Sequence, residues 1–453
     1  MSDFVHFNTP MATITMREVK SGGPSDTTDR TADIQAALNA SRHVYLGPGL
    51  YMVSGPIDIA DDTHLQLHPL AVIKRSLSMP TSTQMIRLAH AQRVLVEGGS
   101  LDGNKQSDVV GAGGQCTGLA TAGATDVEIR NMQIYNWPAD PTGGSYGYGI
   151  YLGSRVSTPN TRVRVSGVNI YGCEQNNMFL VSGKDIIIEN SRFANSNGHE
   201  PGSGLDIEPN DYREVAQNVI VRNCVFEGNN DGVTCNNHWG GYWHDITFDG
   251  CTFRGNRNVG ISCTGANLPE SRYVLHNCKF LNNGGSGLYI AGTQGADISG
   301  CRAEGNAGLG IEMSDSRDFT VARNQIHNNL LGGVGLSEYR DVSSNGFFLG
   351  NSIFNNALYG VDVQKSLPSG TSIAGLVFGF NSFGNANYLK YPAWTALRTV
   401  IPDFRILNDG NIYECITAAQ QRPARDRPPR QRILRMVTRT GSILARSPFR
   451  RGL

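Results

Sequence analysis

A short pattern recurs along most of this chain at intervals of about 23–30 residues. Each repeat has a Gly, a strand of alternating apolar residues, a loop and then a second strand. Strands of the first kind include DGVTCN (231–236), VGISCT (259–264), SGLYIA (286–291), LGIEMS (309–314) and YGVDVQ (359–364). Short strands at this period, with no helix between them, predict a β-solenoid in which each repeat forms one coil.

The cysteines follow the same repeat. Cys224, Cys251, Cys278 and Cys301 occupy equivalent positions, each before a small or apolar pattern. Because equivalent positions stack in a solenoid, we expect four reduced, inward-facing thiols and not a disulfide framework. The C-x-x-C spacing of a metal site is absent, so no metal site is predicted.

One repeat carries paired carboxylates. In GSGLDIEPN (202–210), the apolar Leu205 and Ile207 alternate with Asp206 and Glu208. Since side chains i and i+2 share one face of a strand, both acids should point away from the core into solvent, about 6–7 Å apart. Such a pair suits a general acid working with a base or a nucleophile. The alternative is a solvated strand face that carries no chemistry.

Stacking the repeats places these acids in two outward columns. If the residue after each Gly points inward, the first column contains Tyr151, Phe179, Asp206, Thr234, Ser262, Tyr289, Glu312, Gly335 and Asp362. The second column passes through Glu208 and Asn236. Acids flanked by aromatic and small polar residues predict a sugar-binding cleft, with substrate contacts from Tyr151, Phe179, Thr234, Asn236, Tyr289 and Glu312. Glu312 lies four coils from Asp206, about 19 Å at a coil spacing of about 4.8 Å, so it could contact only a distant sugar unit.

A loop rich in aromatic and His residues follows the strand after Asp206. NNHWGGYWHD (236–245) contains His238, Trp239, Tyr242 and Trp243, and aromatic faces stack on sugar rings. Local packing of these rings under the loop is the alternative. His199 and Glu200 precede the Asp206 strand, and Asp231 begins the next one. We therefore expect His238 and Asp231 to support catalysis, and His199, Trp239, Tyr242 and Trp243 to bind substrate.

The N-terminal part predicts a cap for the solenoid. TADIQAALNAS (31–41) reads as an amphipathic helix with Thr31 as N-cap, and VYLGPGLYMVSGPIDI (44–59) follows as two strands. This order resembles the N-terminal cap of pectate-lyase-like β-helix proteins and phage tailspikes. The resemblance implies an all-β, right-handed parallel β-helix with an N-terminal capping helix. It also implies an extracellular or virion-associated, possible homotrimer that acts on a polysaccharide.

The chain divides into four predicted segments. Residues 1–39 form a lead-in with the capping helix, and residues 40–387 form the β-helix. Residues 388–420 resemble a small module that follows carbohydrate-active β-helices, through W-x-A-x-T and G-N-x-Y-x-C patterns. Residues 421–453 hold ten Arg and one Asp, and we expect either a disordered basic tail or a shifted reading frame.

Charge and hydropathy exclude several partners. The net charge of the whole chain is zero, so the basic tail leaves an acidic body, which argues against a nucleic-acid groove there. No stretch of 18 apolar residues is present, so no membrane partner is expected. The start, MSDFVHFNTP, lacks the basic and apolar regions of a secretory signal peptide.

Three functions fit the predicted fold. The leading hypothesis is a glycoside hydrolase without a cofactor, in which Asp206 and Glu208 cleave an extracellular or bacterial-surface polysaccharide. The second is a lyase or C5-epimerase on a uronic-acid polymer, with His238, Tyr242 or His199 as the base and Ca²⁺ as a possible cofactor. An acidic cleft without Arg or Lys in its columns counts against that polymer. The third is a non-catalytic glycan-binding spike protein. The polygalacturonase pattern N-T-D, D-D, G-H-G, R-I-K and the epimerase motif D-P-H-E are both absent.

Overall fold

The computed structural model describes residues 16–80, 82–105, 114–139, 145–153, 158–236, 240–264, 272–338 and 345–365, with short strands beyond them. Three long parallel sheets dominate, and each coil contributes one strand to each sheet in turn. The predicted parallel β-helix is thereby confirmed, and its three sheets contain 14, 13 and 13 strands.

The three sheets are numbered by the order in which a coil visits them. The strands of sheet 1 are Arg17–Val19, His43–Leu46, His64–Leu67, Gln92–Glu97, Thr125–Arg130, Asn160–Ser166, Gly183–Glu189, Val215–Arg222, Tyr242–Asp249, Tyr273–His276, Asp297–Ser299, Thr320–Ala322, Phe347–Leu349 and Val377–Gly379. Those of sheet 2 are Gly49–Val53, Ala71–Arg75, Ser100–Asp102, Gln133–Tyr135, Asn169–Tyr171, Arg192–Ala194, Val225–Glu227, Thr252–Arg254, Lys279–Leu281, Arg302–Glu304, Gln325–His327, Ser352–Phe354 and Ser382–Gly384. Those of sheet 3 are Ile57–Asp58, Gln84–Ala89, Gly114–Ala122, Ser145–Leu152, Asn176–Leu180, Ser203–Ile207, Asp231–Asn236, Ile261–Thr264, Leu288–Ala291, Leu309–Ser314, Gly332–Glu338, Tyr359–Lys365 and Leu389–Lys390.

A short helix, Thr31–Ala40, precedes the first coil, as predicted. Its buried residues Ile34, Ala37 and Leu38 join the apolar core of the solenoid. The prediction of Thr31 as N-cap is wrong, because the helix begins at Thr31 itself. Asp29 takes over part of that role: its Oδ1 accepts hydrogen bonds from the Thr31 backbone N–H (2.9 Å) and hydroxyl (2.6 Å).

The solenoid interior is continuous and apolar along its length, and the cysteines belong to it. The thiols of Cys224, Cys251, Cys278 and Cys301 are free and buried, which confirms the prediction for these four positions. Each thiol donates to backbone carbonyl oxygens; Cys224 Sγ, for example, donates to the Arg222 oxygen at 3.3 Å. The four thiols therefore stack at the same corner of four successive coils.

A ladder of buried asparagines closes the corner between sheets 2 and 3. Its members each accept a backbone N–H from the coil before and donate to a carbonyl oxygen: Asn229, Asn256, Asn283, Asn306, Asn329 and Asn356. The Asn256 backbone N–H, for example, donates to Asn283 Oδ1 at 3.1 Å. The ladder satisfies backbone groups that would otherwise be buried without partners, and so it fixes the register between coils.

Beyond the solenoid, three strands form an antiparallel sheet: Phe404–Asn408, Asn411–Cys415 and Arg435–Val437. The rest of the predicted segments 388–420 and 421–453 lies outside the described residues, apart from the strand Leu389–Lys390.

Candidate functional site

The outer face of sheet 3 carries the predicted column. Neighbouring strands pair Tyr151 with Phe179, Phe179 with Asp206, and Asp206 with Thr234. The same register continues through Ser262, Tyr289, Glu312, Gly335 and Asp362. Leu205 and Ile207 are fully buried in the core, so the two acids of this strand do point outward. The register of the column is therefore as predicted.

Solvent exposure of Asp206 was predicted wrongly. Its side chain is only 2% exposed, while Glu208 is half-buried. The cause is a second apolar cluster outside the solenoid core, formed by Ala120, Tyr148, Tyr151, Phe179 and Val181. Because Phe179 and Asp206 lie on neighbouring strands, this cluster reduces the access of water to the acid.

Tyr151 and Phe179 are parts of this cluster and are not an open platform for sugars. Their side chains are 8% and 6% exposed, which corrects the prediction of accessible stacking surfaces. Both rings pack on Tyr148, with centroid distances of 5.9 and 5.1 Å. Their contribution to the site is an apolar wall next to Asp206.

A network of polar side chains connects Asp206 with the next coil. Asn176 Nδ2 donates to Asp206 Oδ2 at 2.9 Å, and the Ser203 backbone N–H donates to Asn176 Oδ1 at 2.9 Å. The hydroxyls of Ser203 and Thr234 share a hydrogen bond of 2.6 Å. Asp231 is paired with Ser203 across the strands, and its Oδ1 accepts the Val259 N–H at 3.3 Å.

Tyr148, Asn176 and Ser203 were not predicted from the sequence, because strict alternation along the strand does not place them on the outer face. Tyr148 pairs with Asn176 and lies three residues before Tyr151 in the outward column. Two residues lie between these outward positions, and alternation breaks at the first of them, which is Gly204 in the Asp206 strand. There a Cβ would lie only 2.6 Å from the Gly232 carbonyl oxygen. A Gly two residues ahead of an outward position is the sequence signal that could have revealed them.

Burial and charge both favour a protonated Asp206. Desolvation raises the pKa of Asp206 well above its ordinary value, and the charges of Glu208 and Asp231 raise it further. The hydrogen bond from Asn176 opposes this shift. Asp206 Oδ1 is buried and has no hydrogen-bond partner in the part of the chain that the structure describes. A neutral carboxyl with one uncommitted oxygen can donate a proton to a ligand placed there.

Two neighbouring groups also keep their protons more tightly than usual. Burial raises the pKa of Asp231, and the charge of Glu200 adds to this effect. Burial and then the charge of Asp206 raise the pKa of Tyr148 well above its ordinary value. Tyr148 is therefore a poor base, because a base needs a phenol that ionises readily.

The remaining predicted residues do not all meet at this site. His238 and Trp239 lie outside the described residues. Asn236 follows Thr234 on the same strand and accepts a hydrogen bond from the Thr264 hydroxyl. His199 is half-buried, and no described residue forms a hydrogen bond with its Nε2. Tyr289 and Glu312 share the face but lie three and four coils away; the Ser286 hydroxyl donates to Glu312 Oε2 at 2.8 Å.

The prediction of Trp243 as a substrate-binding residue is wrong. Tyr242 and Trp243 begin the sheet 1 strand Tyr242–Asp249, where alternation sends Trp243 into the core. Trp243 is fully buried and packs on Tyr273 with a centroid distance of 4.4 Å. Tyr242 is half-buried and lies against His244, at a centroid distance of 5.1 Å.

Asn176 offers a direct test of the hydrogen bond to Asp206. Its N–H favours the ionised carboxylate, so Asn176→Ala should raise the pKa of Asp206 further. If Asp206 acts as a general acid, it then stays protonated to higher pH. The alkaline limb of the profile of kcat against pH should therefore move to higher pH. Thr264→Ala, a change on the same sheet away from the bond, is the control; an unmoved limb in Asn176→Ala would contradict the assigned role.

Within the described residues, no group of three or more His, Cys, Asp or Glu side chains is arranged to bind a metal ion. No helix in the same part of the chain is both long and apolar enough to cross a membrane.

These features define a parallel β-helix with a protonatable acid on one outer face. The sequence profile of the family described as "Right handed beta helix region" matches residues 94–271 and 246–387. The chain belongs to this family, and the predicted right-handed fold is confirmed. Among curated proteins, none matches the chain.

Solved structures agree on the fold at low sequence identity. The A-module of the mannuronan C-5 epimerase AlgE6 from Azotobacter vinelandii is 17% identical, with a TM-score of 0.56 over 82% of this chain and 94% of that one. The Dettilon tailspike protein is 14% identical, with a TM-score of 0.59 over 88% and 76%. The N-terminal fragment of gene product 12 of bacteriophage phi29 is 14% identical, with a TM-score of 0.61 over 84% and 71%. Sequence identities this low show that these proteins share a fold with this chain and carry no further conclusion.

Proposed function

We propose that this protein is a glycoside hydrolase that cleaves an extracellular or bacterial-surface polysaccharide. The observation that carries the proposal is Asp206: a buried carboxyl with a raised pKa, an unpartnered Oδ1 and two further acids beside it. Glycosidases need one carboxyl that is protonated and a second that is ionised. Half-buried Glu208 is the candidate for the second, since water reaches it more readily.

The reaction follows from these two roles. Asp206 Oδ1–H donates its proton to the glycosidic oxygen as the bond from the anomeric carbon to that oxygen breaks. Glu208 takes a proton from a water molecule, and the water oxygen bonds to the anomeric carbon. Residues i and i+2 of a strand lie about 6–7 Å apart, which is close to the separation of about 6.5–9.5 Å in inverting enzymes. We therefore favour inversion at the anomeric carbon.

A lyase or epimerase reaction has less support. It requires a base at C5 and a positive group that neutralises the uronate carboxylate. The raised pKa of Tyr148 makes it unsuitable as the base. No Arg or Lys occupies the described outward positions of sheet 3 from Tyr151 to Asp362. The named neighbours include an epimerase and a tailspike, so they favour a polysaccharide ligand without choosing the reaction. An extracellular or virion-associated setting and a homotrimer belong to the same proposal and rest on that likeness.

A panel of bacterial-surface and extracellular polysaccharides tests the reaction class. We expect new reducing ends from one of them, without the ultraviolet absorbance of an unsaturated product, and with inversion visible by NMR at early times. Asp206→Asn, assayed in parallel, controls for contaminating hydrolases. An unsaturated product would establish a lyase, a changed uronate composition an epimerase, and binding without any change in the polymer a glycan-binding protein; each would refute the hydrolase.

A further inference from the structure

The middle of the outer face of sheet 3, between Tyr148 and Asp362, bears charge of one sign. Arg87 before this stretch and Lys390 after it continue the same register. The described outward positions between Tyr148 and Asp362 include five acids: Asp206, Glu208, Asp231, Glu312 and Asp362. The same positions include no Arg or Lys. Among the described cations near the corner between sheets 2 and 3, Lys105 and Arg257 are both engaged. Lys105 forms an ion pair with Glu174, and Arg257 donates to the Asn197 carbonyl oxygen at 3.2 Å.

On the other two sheets, acids form ion pairs with Arg side chains of neighbouring coils. On sheet 1, Glu189 lies between Arg164 and Arg222, with a distance of 2.5 Å to the second. Burial acts against ionisation, yet hydrogen bonds from both guanidinium groups hold the pKa of Glu189 below its ordinary value. On sheet 2, Glu227 is paired with Arg192 and Arg254 at 2.6 and 2.5 Å. Stacking of the coils can therefore place an Arg next to an acid, as it does for Glu189 and Glu227.

On sheet 3, three of the acids show the opposite shift. Burial raises the pKa of Asp206, Asp231 and Glu312, and the hydrogen bonds to them do not cancel the effect. Asp206 is 2% exposed and its Oδ1 has no partner among the described residues, so this face contains a buried carboxyl oxygen that awaits a ligand. A positively charged group of that ligand would stabilise the ionised forms of the neighbouring carboxylates.

We propose that the ligand of sheet 3 is a polysaccharide with free amino groups, whose ammonium groups meet this row of acids. The inference rests on the proposed function in placing the polymer along sheet 3. Glu312 lies about 19 Å from Asp206, and Asp362 about 10 Å further, at about 4.8 Å per coil. Amino sugars several units apart along one chain can therefore contact the acids at the same time. A divalent cation is the weaker candidate, because the described residues contain no group of three suitable ligands.

The proposal is tested by binding of three hexasaccharides to the full chain: those of glucosamine, of N-acetylglucosamine and of galacturonic acid. Titration calorimetry measures each affinity at low and at high salt. We expect glucosamine to bind most tightly, with affinity that falls as salt rises, and galacturonic acid most weakly. Glu312→Gln should weaken glucosamine binding by about fivefold and leave binding of N-acetylglucosamine unchanged. Glu304→Gln, in the same coil but on sheet 2, is the matched control and should change neither.

The outcomes separate this inference from the hydrolase proposal. Equal affinity for glucosamine and N-acetylglucosamine, tightest binding of galacturonic acid, or no binding of glucosamine at low millimolar concentration would each overturn it. If a neutral polymer is cleaved and amino groups bring no gain in affinity, the hydrolase survives and the inference fails. If glucosamine binds as expected while no polymer is cleaved, the inference survives and the hydrolase fails.

Discussion

Asp206→Asn should reduce kcat by about 10²–10⁴-fold on the true substrate, which is the usual contribution of a general acid. The amide keeps the shape of the side chain and can still meet Asn176, but it cannot release a proton to the leaving oxygen. Measurement of kcat and KM over a range of pH checks this, and the loss should lie in kcat. Glu208→Gln should lose activity on the same scale if it activates water.

Asp206→Asn should not destabilise the fold. The direction in which stability changes with pH follows from the raised pKa of Asp206. Asp206 has a raised pKa in the folded state, so between its unfolded and folded pKa values the folded chain binds the extra proton. Stability then falls as pH rises through that window, because ionising the buried group opposes folding. Asparagine does not ionise, so Asp206→Asn should be at least as resistant to guanidinium as the native chain at neutral pH. Near-normal activity in this variant would place the chemistry elsewhere, with Asp231 as the next candidate.

Trp243→Ala should lower the free energy of unfolding by about 3–5 kcal/mol, the usual cost of removing a fully buried large side chain. The indole packs on Tyr273 inside the solenoid, and its Nε1 makes no hydrogen bond that the change would break. The expected loss is therefore one of packing. Guanidinium unfolding followed by circular dichroism measures it.

The adjacent Tyr242→Ala is the matched control for this prediction. Tyr242 lies on the outer side of the same strand and is half-buried, so its removal should cost much less. Substrate affinity of Trp243→Ala, measured well below its unfolding transition, should equal that of the native chain. Weakened substrate binding by a stable Trp243→Ala protein would instead restore the role that the sequence suggested.

The sequence was a good guide to the fold because the fold depends on two periods. The repeat length defined the coils, and alternation in strands such as Ser203–Ile207 identified which residues enter the core. Stacking then followed directly, so the column from Tyr151 to Asp362 could be written down residue by residue.

The site was harder to predict because its properties arise between coils. Alternation along the strand shows that the Asp206 side chain points outward. Its exposure to solvent also depends on the rings of Tyr148 and Phe179, which belong to preceding coils. The roles of Asn176 and Ser203 depend on a break in alternation that no single strand reveals. Trp243 was misplaced because an aromatic loop was taken to continue up to the residues where a sheet 1 strand already begins.

The asparagine ladder has a geometric consequence for the outer face. Because Asn256 meets Asn283 and Asn283 meets Asn306 in a fixed way, neighbouring coils cannot slide by part of a residue. Distances along sheet 3 come in steps of about 4.8 Å, because that is the spacing of neighbouring hydrogen-bonded strands. The gap between Asp206 and Glu312 is four such steps, and loss or gain of a single repeat would change it by one. A polymer bound along sheet 3 would therefore meet equivalent positions at regular intervals, so the number of coils between two acids determines which of its units they can contact.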